Sequence, residues 1–193
     1  MNASADRSQE PLTALILVDV TNSFFLEGMP NFYPAATTVL EPLRALLARA
    51  RESDGIVVHA VEQHRPGFND FEWRKLPKHH FHGDKDADFF EGFQPRGQRE
   101  IVVPKRRYSA FFATDLALFL REQGVERVVI AGVKTNVCIR ATAQDAFANG
   151  FDVVVPREAT NSNRPTLAAA SIEDIERYFG EVAPLARALE MLA

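Results

Sequence analysis

The sequence predicts an α/β protein in which a parallel β-sheet is covered by helices on both faces. Apolar segments of strand length alternate along the chain with segments of helical periodicity. The strand segments are apolar without alternation, which is typical of parallel strands buried on both sides. A chain of 193 residues, 46% of them hydrophobic, can bury a substantial core. The expected architecture therefore has three layers, α/β/α, with right-handed crossovers.

The expected strands are short apolar runs bounded by polar or turn residues. They cover residues 14–20, 56–62, 100–105, 127–133 and 152–156. The expected helices cover 35–53, the segment between an N-cap at Thr114 and a C-cap at Gly124, a stretch from about Asn136, 165–179, and a short one from Pro184. Strands and helices thus alternate from 14 to the end of the chain.

Two segments fall outside this alternation. Residues 1–12 are expected to form a flexible arm, which leaves 13–193 as a single domain. Residues 63–98 lack periodicity and carry scattered histidines among Gly and Pro. A connection of this length in a compact domain usually forms a lid, a binding loop or a subunit contact. No two of its histidines have HExxH-like spacing, so it offers no recognisable zinc motif.

Composition and charge restrict the class of partner. The net charge of -4 provides no basic surface for nucleic acid, and the single cysteine excludes an internal disulfide. No apolar run has the length of a membrane span, and the first residues lack the features of a signal peptide. We expect a cytoplasmic protein that acts on a small molecule, without nucleic-acid or membrane partners.

Three reactive side chains are predicted to meet at the carboxyl edge of the sheet. Asp19 and Lys105 end the first and third strands, and Cys138 follows the fourth strand in the first turn of a helix. Taken singly, the cysteine could be a small buried hydrophobe and the aspartate a cap. Together they provide a nucleophile, a base for the thiol proton and a cation that stabilises negative charge. This convergence favours a catalytic site.

Three motifs are similar to those of the isochorismatase-like cysteine hydrolases, a family that includes nicotinamidases, N-carbamoylsarcosine amidase, and ureidoacrylate and biuret amidohydrolases. The motifs are LVDVTNSFF around Asp19, VPKRRYSAFFATDL after Lys105, and AGVKTNVCIRATAQDA around Cys138. The resemblance implies a Rossmann-like sheet and a triad of Asp19, Lys105 and Cys138. It also implies a cis peptide between Val133 and Lys134, with the N–H groups of Lys134 and Cys138 forming the oxyanion hole.

The first motif departs from the family pattern D-x-Q-N-D-F. Thr21 and Ser23 replace the glutamine and the second aspartate, whereas Asn22 and Phe24 are kept. The triad is unaffected, so the departure concerns substrate contacts. The candidate substrate-binding residues are Asn22 and Phe24 of the first motif, Tyr108 of the second and Thr135 of the third, together with His64 and Arg65 of the long loop.

The metal motif of nicotinamidases, D-x-H followed by a further histidine, is expected to be missing. Gln63 and Arg65 are taken to stand where its aspartate and first histidine would be, so that only His79 could be a ligand. The segment EQHRP instead resembles the E-x-H-R-P segment of biuret- and carbamoyl-type amidases. We therefore expect no metal and no cofactor, and expect His64 and Arg65 to donate hydrogen bonds to a ureido or amide substrate.

The sequence thus predicts a cysteine amidohydrolase that cleaves a C–N bond of a small amide or ureido compound through a thioester. Within the same fold, the alternatives are a nicotinamidase or an isochorismatase-type hydrolase of a vinyl ether; Cys138 argues against the latter, because some enzymes of that type dispense with the cysteine. A non-catalytic oligomeric binding protein is a further alternative. The long loop and the resemblance also predict a homodimer or homotetramer.

Overall fold

The computed structural model of the chain describes residues 10–193. Most of the predicted arm, residues 1–9, lies outside the described residues. Its last part is joined to the sheet, because the carbonyl oxygen of Leu12 accepts hydrogen bonds from the N–H groups of Glu126 and Arg127 at 3.0 and 3.2 Å. No helix among residues 10–193 combines the length and the hydrophobicity that crossing a membrane requires.

A seven-stranded parallel sheet forms the centre of the fold. Its strands are β1 (Thr13–Val18), β2 (Ile56–Glu62), β3 (Glu100–Lys105), β4 (Arg127–Val133), β5 (Asp152–Pro156), β6 (Thr160–Asn161) and β7 (Glu181–Ala183). Their order is β3-β2-β1-β4-β5-β7, and β6 pairs with β4. The carboxyl ends of β3, β2, β1 and β4 are therefore consecutive along one edge of the sheet.

Helices cover both faces of this sheet, as the apolar strands require. They are α1 (Asn22–Phe25), α2 (Leu40–Glu52), α3 (Leu116–Glu122), α4 (Arg140–Ala148), α5 (Pro165–Tyr178) and α6 (Leu185–Met191). Ile16 of β1 belongs to the core on the side of α3, α4 and α5, whereas Leu17 belongs to the core on the side of α2 and α6. The predicted α/β/α fold class is confirmed.

Three details differ from the predicted elements. The segment 35–53 begins with a 3₁₀ turn, Pro34–Val39, before α2. The N-cap of α3 is Asp115 rather than Thr114, although the Thr114 hydroxyl accepts the Leu116 N–H at 3.4 Å. The strands β6 and β7 were not predicted, because two or three residues are too short to show a hydrophobic pattern.

Gly132 brings β4 close to β1 beside the predicted site. Its φ of +125° lies in the region that favours glycine, and a Cβ atom there would lie 2.1 Å from the carbonyl oxygen of Val18. A side chain at this position would force the two strands apart. The absence of a side chain at Gly132 thus allows the strand that leads to Cys138 to lie close to the strand that leads to Asp19.

Candidate active site

The predicted triad meets at the carboxyl edge of the sheet. Lys105 Nζ donates to Asp19 Oδ2 at 2.8 Å and lies 3.6 Å from Cys138 Sγ. The second oxygen of Asp19 accepts the main-chain N–H of Glu62 at 2.8 Å. Asp19 and Lys105 are fully buried, and Cys138 is almost so. The carboxylate is therefore held at both oxygens, and Lys105 bridges it to the sulfur.

The backbone of Asp19 adopts a conformation that is uncommon for residues other than glycine. Its φ is +54°, and its N–H donates to the carbonyl oxygen of Ala60 at 2.8 Å. Aspartate tolerates the left-handed region better than most residues do, because its short polar side chain can form local hydrogen bonds. The turn after β1 thereby directs the carboxylate towards Lys105 and Cys138.

The environment of Cys138 keeps its sulfur protonated at rest. Burial raises the pKa of the thiol well above its usual value; the Lys105 charge opposes this effect, and the carboxylates of Asp19 and Glu62 add to it. Cys138 lies in a single π-helical turn, Thr135–Ile139, ahead of α4. The start of a helix generally favours a thiolate, but the pKa of this thiol is set chiefly by its burial. A nearby base must therefore remove the proton.

The same surroundings keep Lys105 charged. Burial disfavours the ammonium, but the neighbouring acidic groups, Asp19 foremost and then Cys138 and Glu62, together outweigh burial and raise the pKa of Lys105 above its usual value. The peptide bond between Val133 and Lys134 is cis, at the position that the resemblance implied. The main-chain N–H of Lys134 thus belongs to the turn that leads from β4 to Cys138.

Glu62, which the sequence analysis did not select, is a fourth charged group in this cluster. It is the last residue of β2 and is paired in the sheet with Lys105. One oxygen of Glu62, one of Asp19 and the Cys138 sulfur all lie within 4.8 Å of one another. Burial opposes its ionisation, but hydrogen bonds from His64 and His79 and the charge of Lys105 hold the pKa of Glu62 well below its usual value.

Two histidines pair with Glu62 in fixed orientations. His64 and His79 each place Nε2 near Glu62 Oε1, at 3.0 and 3.1 Å. Their Nδ1 atoms face Asp70 Oδ2 at 3.0 Å and the carbonyl oxygen of Pro77 at 2.6 Å. Burial opposes the charge of His79, but the hydrogen bond to Glu62, the charge of Glu62 and the carbonyl of Pro77 together outweigh burial and raise the pKa to about 9. The His79 imidazole is therefore protonated beside Glu62 at neutral pH, and pairing with Glu62 also raises the pKa of His64.

The donor set around Glu62 also fits a divalent cation. Glu62, His79 and His80 each offer one ligand atom within 4.8 Å of the others, and His80 Nδ1 is buried without a hydrogen-bond partner among the described residues. A carboxylate and two imidazoles form a common ligand set for zinc. Gln63 and Arg65, which were predicted to stand in place of the ligands, do not belong to this group. Because Glu62, His79 and His80 supply the donor atoms instead, the motif argument against a metal does not hold.

The long loop is fixed to the end of β3 through Asp70. Its carboxylate is bound by Arg106 at 3.0 Å and by Arg107 at 2.9 Å, and it accepts the N–H of Glu72 at the start of a 3₁₀ turn. The His64 ring adds a further contact with it. Burial opposes ionisation, but these donors hold the pKa of Asp70 well below its usual range. The loop is thereby held over the triad.

A cavity of about 170 Å³ opens onto Cys138 under this loop. Its walls come from α1, the loop, the segment after β3 and the turn before α4; they are formed by Phe24, Asn31, Glu62, Glu72, Leu76, His79, Tyr108, Lys134, Val137 and Cys138. Two of the predicted substrate-binding residues, Phe24 and Tyr108, thus line this cavity. The loop supplies part of the wall, as the sequence analysis expected, through Glu72, Leu76 and His79.

The other predicted substrate-binding residues do not line this cavity. Asn22 donates from its amide to the carbonyl oxygen of Lys85 at 3.0 Å and so supports the loop. Thr135 is buried against the hydroxyl of Thr160 at 2.8 Å. His64 is buried behind Glu62, and Arg65 is exposed. Arg65 therefore forms no part of the cavity wall, and its contact with a substrate stays a prediction.

Comparison with known proteins identifies the family. The isochorismatase domain model matches residues 13–187. A maleamate amidohydrolase of Pseudomonas putida is 36% identical over 184 residues, which cover 93% of this chain and 86% of that protein. A ureidoacrylate amidohydrolase of Pantoea ananatis is 33% identical, covering 88% and 78% of the two chains. The chain therefore belongs to the isochorismatase family, and the predicted resemblance is confirmed.

A solved structure supports the same assignment. An isochorismatase-like hydrolase from Alkaliphilus metalliredigens superposes with a TM-score of 0.86 at 33% identity, covering 94% of this chain and 99% of that one. The predicted enzyme class, a hydrolase of non-peptide carbon–nitrogen bonds, is confirmed at this level by the amidohydrolases among the relatives. Small amides are accordingly the substrate class that the family implies.

Proposed function

We propose that the protein hydrolyses a small amide or ureido compound through a thioester on Cys138. The observation that carries this proposal is the position of Cys138 on the wall of the cavity, 3.6 Å from a lysine that is paired with Asp19 at 2.8 Å. The relatives that cleave maleamate and ureidoacrylate support the type of bond. A cytoplasmic location and a homo-oligomeric state remain predictions from the sequence.

Asp19 is the base in the first step. The raised pKa of the Cys138 thiol means that the proton must leave as the sulfur attacks, and the nearest carboxylates are those of Asp19 and Glu62. Asp19 acts on the thiol both as a hydrogen-bond partner and through its charge, whereas Glu62 acts only through its charge, which makes Asp19 the acceptor. The S–C bond forms, the carbonyl π electrons move to oxygen, and the proton passes to Asp19.

The tetrahedral oxyanion would accept hydrogen bonds from the main-chain N–H groups of Lys134 and Cys138. Preorganised donors of this kind lower the activation barrier most when water is excluded. Asp19 then returns the proton to the nitrogen, the C–N bond breaks, and ammonia or an amine leaves. In the second half Asp19 takes a proton from water, the hydroxyl attacks the thioester, and the S–C bond breaks. The sulfur recovers the proton from Asp19 as the acid is released.

Lys105 maintains this proton transfer without accepting a proton itself. Its charge, held by Asp19, offsets the negative charge that passes between the carboxylate and the sulfur. Removal of either partner would leave the other buried and unpaired. Lys105 is therefore a positioning and electrostatic residue of the site, and Asp19 carries the proton.

If a divalent cation binds, Glu62, His79 and His80 would hold it beside Cys138, where it would supply a Lewis acid to a substrate donor atom. None of the steps above passes through that position. We therefore expect protein freed of metal by EDTA, and verified by elemental analysis, to keep its activity. Activity lost to EDTA and restored by zinc or manganese would contradict a metal-independent reaction.

Ammonia release from a panel of compounds tests the proposed function directly. The panel contains maleamate, ureidoacrylate, biuret, N-carbamoylsarcosine, nicotinamide and simple amides, each given to the native protein and to Cys138→Ala. We expect release from at least one amide or ureido compound by the native protein and none by the variant. Turnover by Cys138→Ala would overturn the proposal, and so would the absence of turnover by the native protein with every compound of the panel.

A further inference from the structure

Lys134 places a positive charge in the cavity wall without a negative partner. No carboxylate of residues 10–193 lies within 4.0 Å of its Nζ atom, and it donates no side-chain hydrogen bond within that part of the chain. The ammonium instead lies 5.6 Å from the ring centre of Phe24 and 5.4 Å from that of Tyr33. Two aromatic faces thus hold the cation in position.

The charges of the cavity are separated between two sides. Lys134 follows β4, whereas Glu62 and Glu72 come from the end of β2 and from the loop. Glu72 is buried, and neither of its carboxylate oxygens has a hydrogen-bond partner among the described residues, although Arg107 and His64 lie 3.9 and 4.0 Å from its Oε2 atom. Burial lowers the pKa of Lys134 and the charge of the exposed Arg164 adds to this effect, whereas the nearby Cys138 and Glu62 groups oppose it. An anion bound in the cavity would be attracted by Lys134 and repelled by Glu62 and Glu72.

From this arrangement we propose that the Lys134 side chain binds a carboxylate of the substrate. The substrates would then be short amido or ureido acids, with the acid group at Lys134 and N–H groups directed to the free oxygens of Glu72. This inference rests on the proposed amide hydrolysis and narrows its substrate class. It replaces the predicted role of Arg65, which is exposed and outside the wall.

Lys134 would contact the substrate through both its main chain and its side chain. Its main-chain N–H is one of the proposed oxyanion donors, and its side chain would hold the acid group of the same substrate. One residue would therefore set the distance between the scissile carbonyl and the carboxylate. With a cavity of only about 170 Å³, this restricts the substrate to a short chain.

Binding to Cys138→Ala tests the inference without turnover. Calorimetry compares succinamate and N-carbamoylglycine with their uncharged counterparts, succinamide and N-carbamoylglycinamide. We expect at least one acid to bind tenfold or more tightly than its neutral partner, and expect Lys134→Met in the same background to abolish that preference. Lys75→Met, an exposed lysine of the loop, makes the same charge change away from the cavity and should retain it.

Turnover provides the second arm. In otherwise native protein, Lys134→Met should reduce the ratio of kcat/KM for the acid to that for the neutral amide by at least tenfold, mainly through KM. Equal binding of acids and neutral compounds by Cys138→Ala, or a preference that survives Lys134→Met, would overturn the inference. Hydrolysis restricted to neutral amides would also overturn it while leaving the proposed function intact, whereas selective binding without any hydrolysis would refute the proposed function alone.

Discussion

Replacing Lys105 by methionine should destabilise the protein severely. Methionine has a similar length but no charge, so the fully buried Asp19 carboxylate would lose its 2.8 Å ion pair and keep only the hydrogen bond from the N–H of Glu62. Removing one partner of a buried pair costs about 3–5 kcal/mol, because the other charge remains uncompensated. A domain of this kind is stabilised by only about 5–15 kcal/mol in total.

Urea unfolding, followed by far-UV circular dichroism and by the fluorescence of Trp73, measures this loss. Lys75→Met is the matched control and should change the free energy of unfolding by less than about 0.5 kcal/mol, as expected for an exposed site. The double variant Lys105→Met, Asp19→Asn removes both charges. Its free energy of unfolding should fall by less than the sum of the falls in the two single variants. A loss below about 1 kcal/mol in Lys105→Met, or strict additivity, would refute the buried ion pair.

Three further predictions concern pH, packing and assembly. Pairing with Glu62 raises the pKa of His79 from 6.5 to about 9, so the stabilisation that His79 provides is complete below pH 6.5 and is lost as the pH rises through 9. This shift corresponds to about 3.4 kcal/mol, which solvent screening reduces to about 2–3 kcal/mol. Urea unfolding should show this fall in the free energy of unfolding, and an equal fall in His79→Gln would contradict it. Gly132→Ala should yield little folded protein by circular dichroism, because its Cβ would lie 2.1 Å from a main-chain oxygen of β1; a native melting temperature would contradict this close approach. The exposed rings of Phe68 and Phe71 form an apolar surface that a second subunit would cover. Light scattering should therefore show a dimer or tetramer at micromolar concentration, and Phe68→Glu should weaken this association. A single species of about 21.6 kDa would contradict the prediction.

The sheet and the triad could be predicted because both follow from strand ends. Apolar runs without alternation identify buried strands, and parallel strands bring their carboxyl ends to one edge. Asp19, Lys105 and Cys138 needed no knowledge of the loop. Glu62 ends β2 and so meets the same criterion, whereas the D-x-H motif predicted the ligand positions one residue further along the chain, at Gln63 and Arg65.

The cavity wall could not be predicted in this way. Asp70 and Glu72 belong to a segment without periodicity, and their positions depend on contacts with Arg106 and Arg107, which lie more than thirty residues further along the chain. The protonation state of Cys138 depends on burial, which the helix pattern alone does not reveal. The position of Lys134 in the cavity likewise depends on two aromatic rings from another part of the chain.

Mass spectrometry of acid-quenched reactions tests the central claim most directly. Native protein would be mixed with a compound that it hydrolyses, quenched within the first turnovers, and digested. The account predicts a peptide in which Cys138 carries the acyl group of the substrate. The mass of this peptide should increase by the mass of the substrate minus that of the released ammonia or amine. This peptide should be unmodified in Cys138→Ala, which should also release no amine. Rapid amine release with Cys138 unmodified at every quench time, together with turnover by Cys138→Ala, would contradict covalent catalysis by this cysteine.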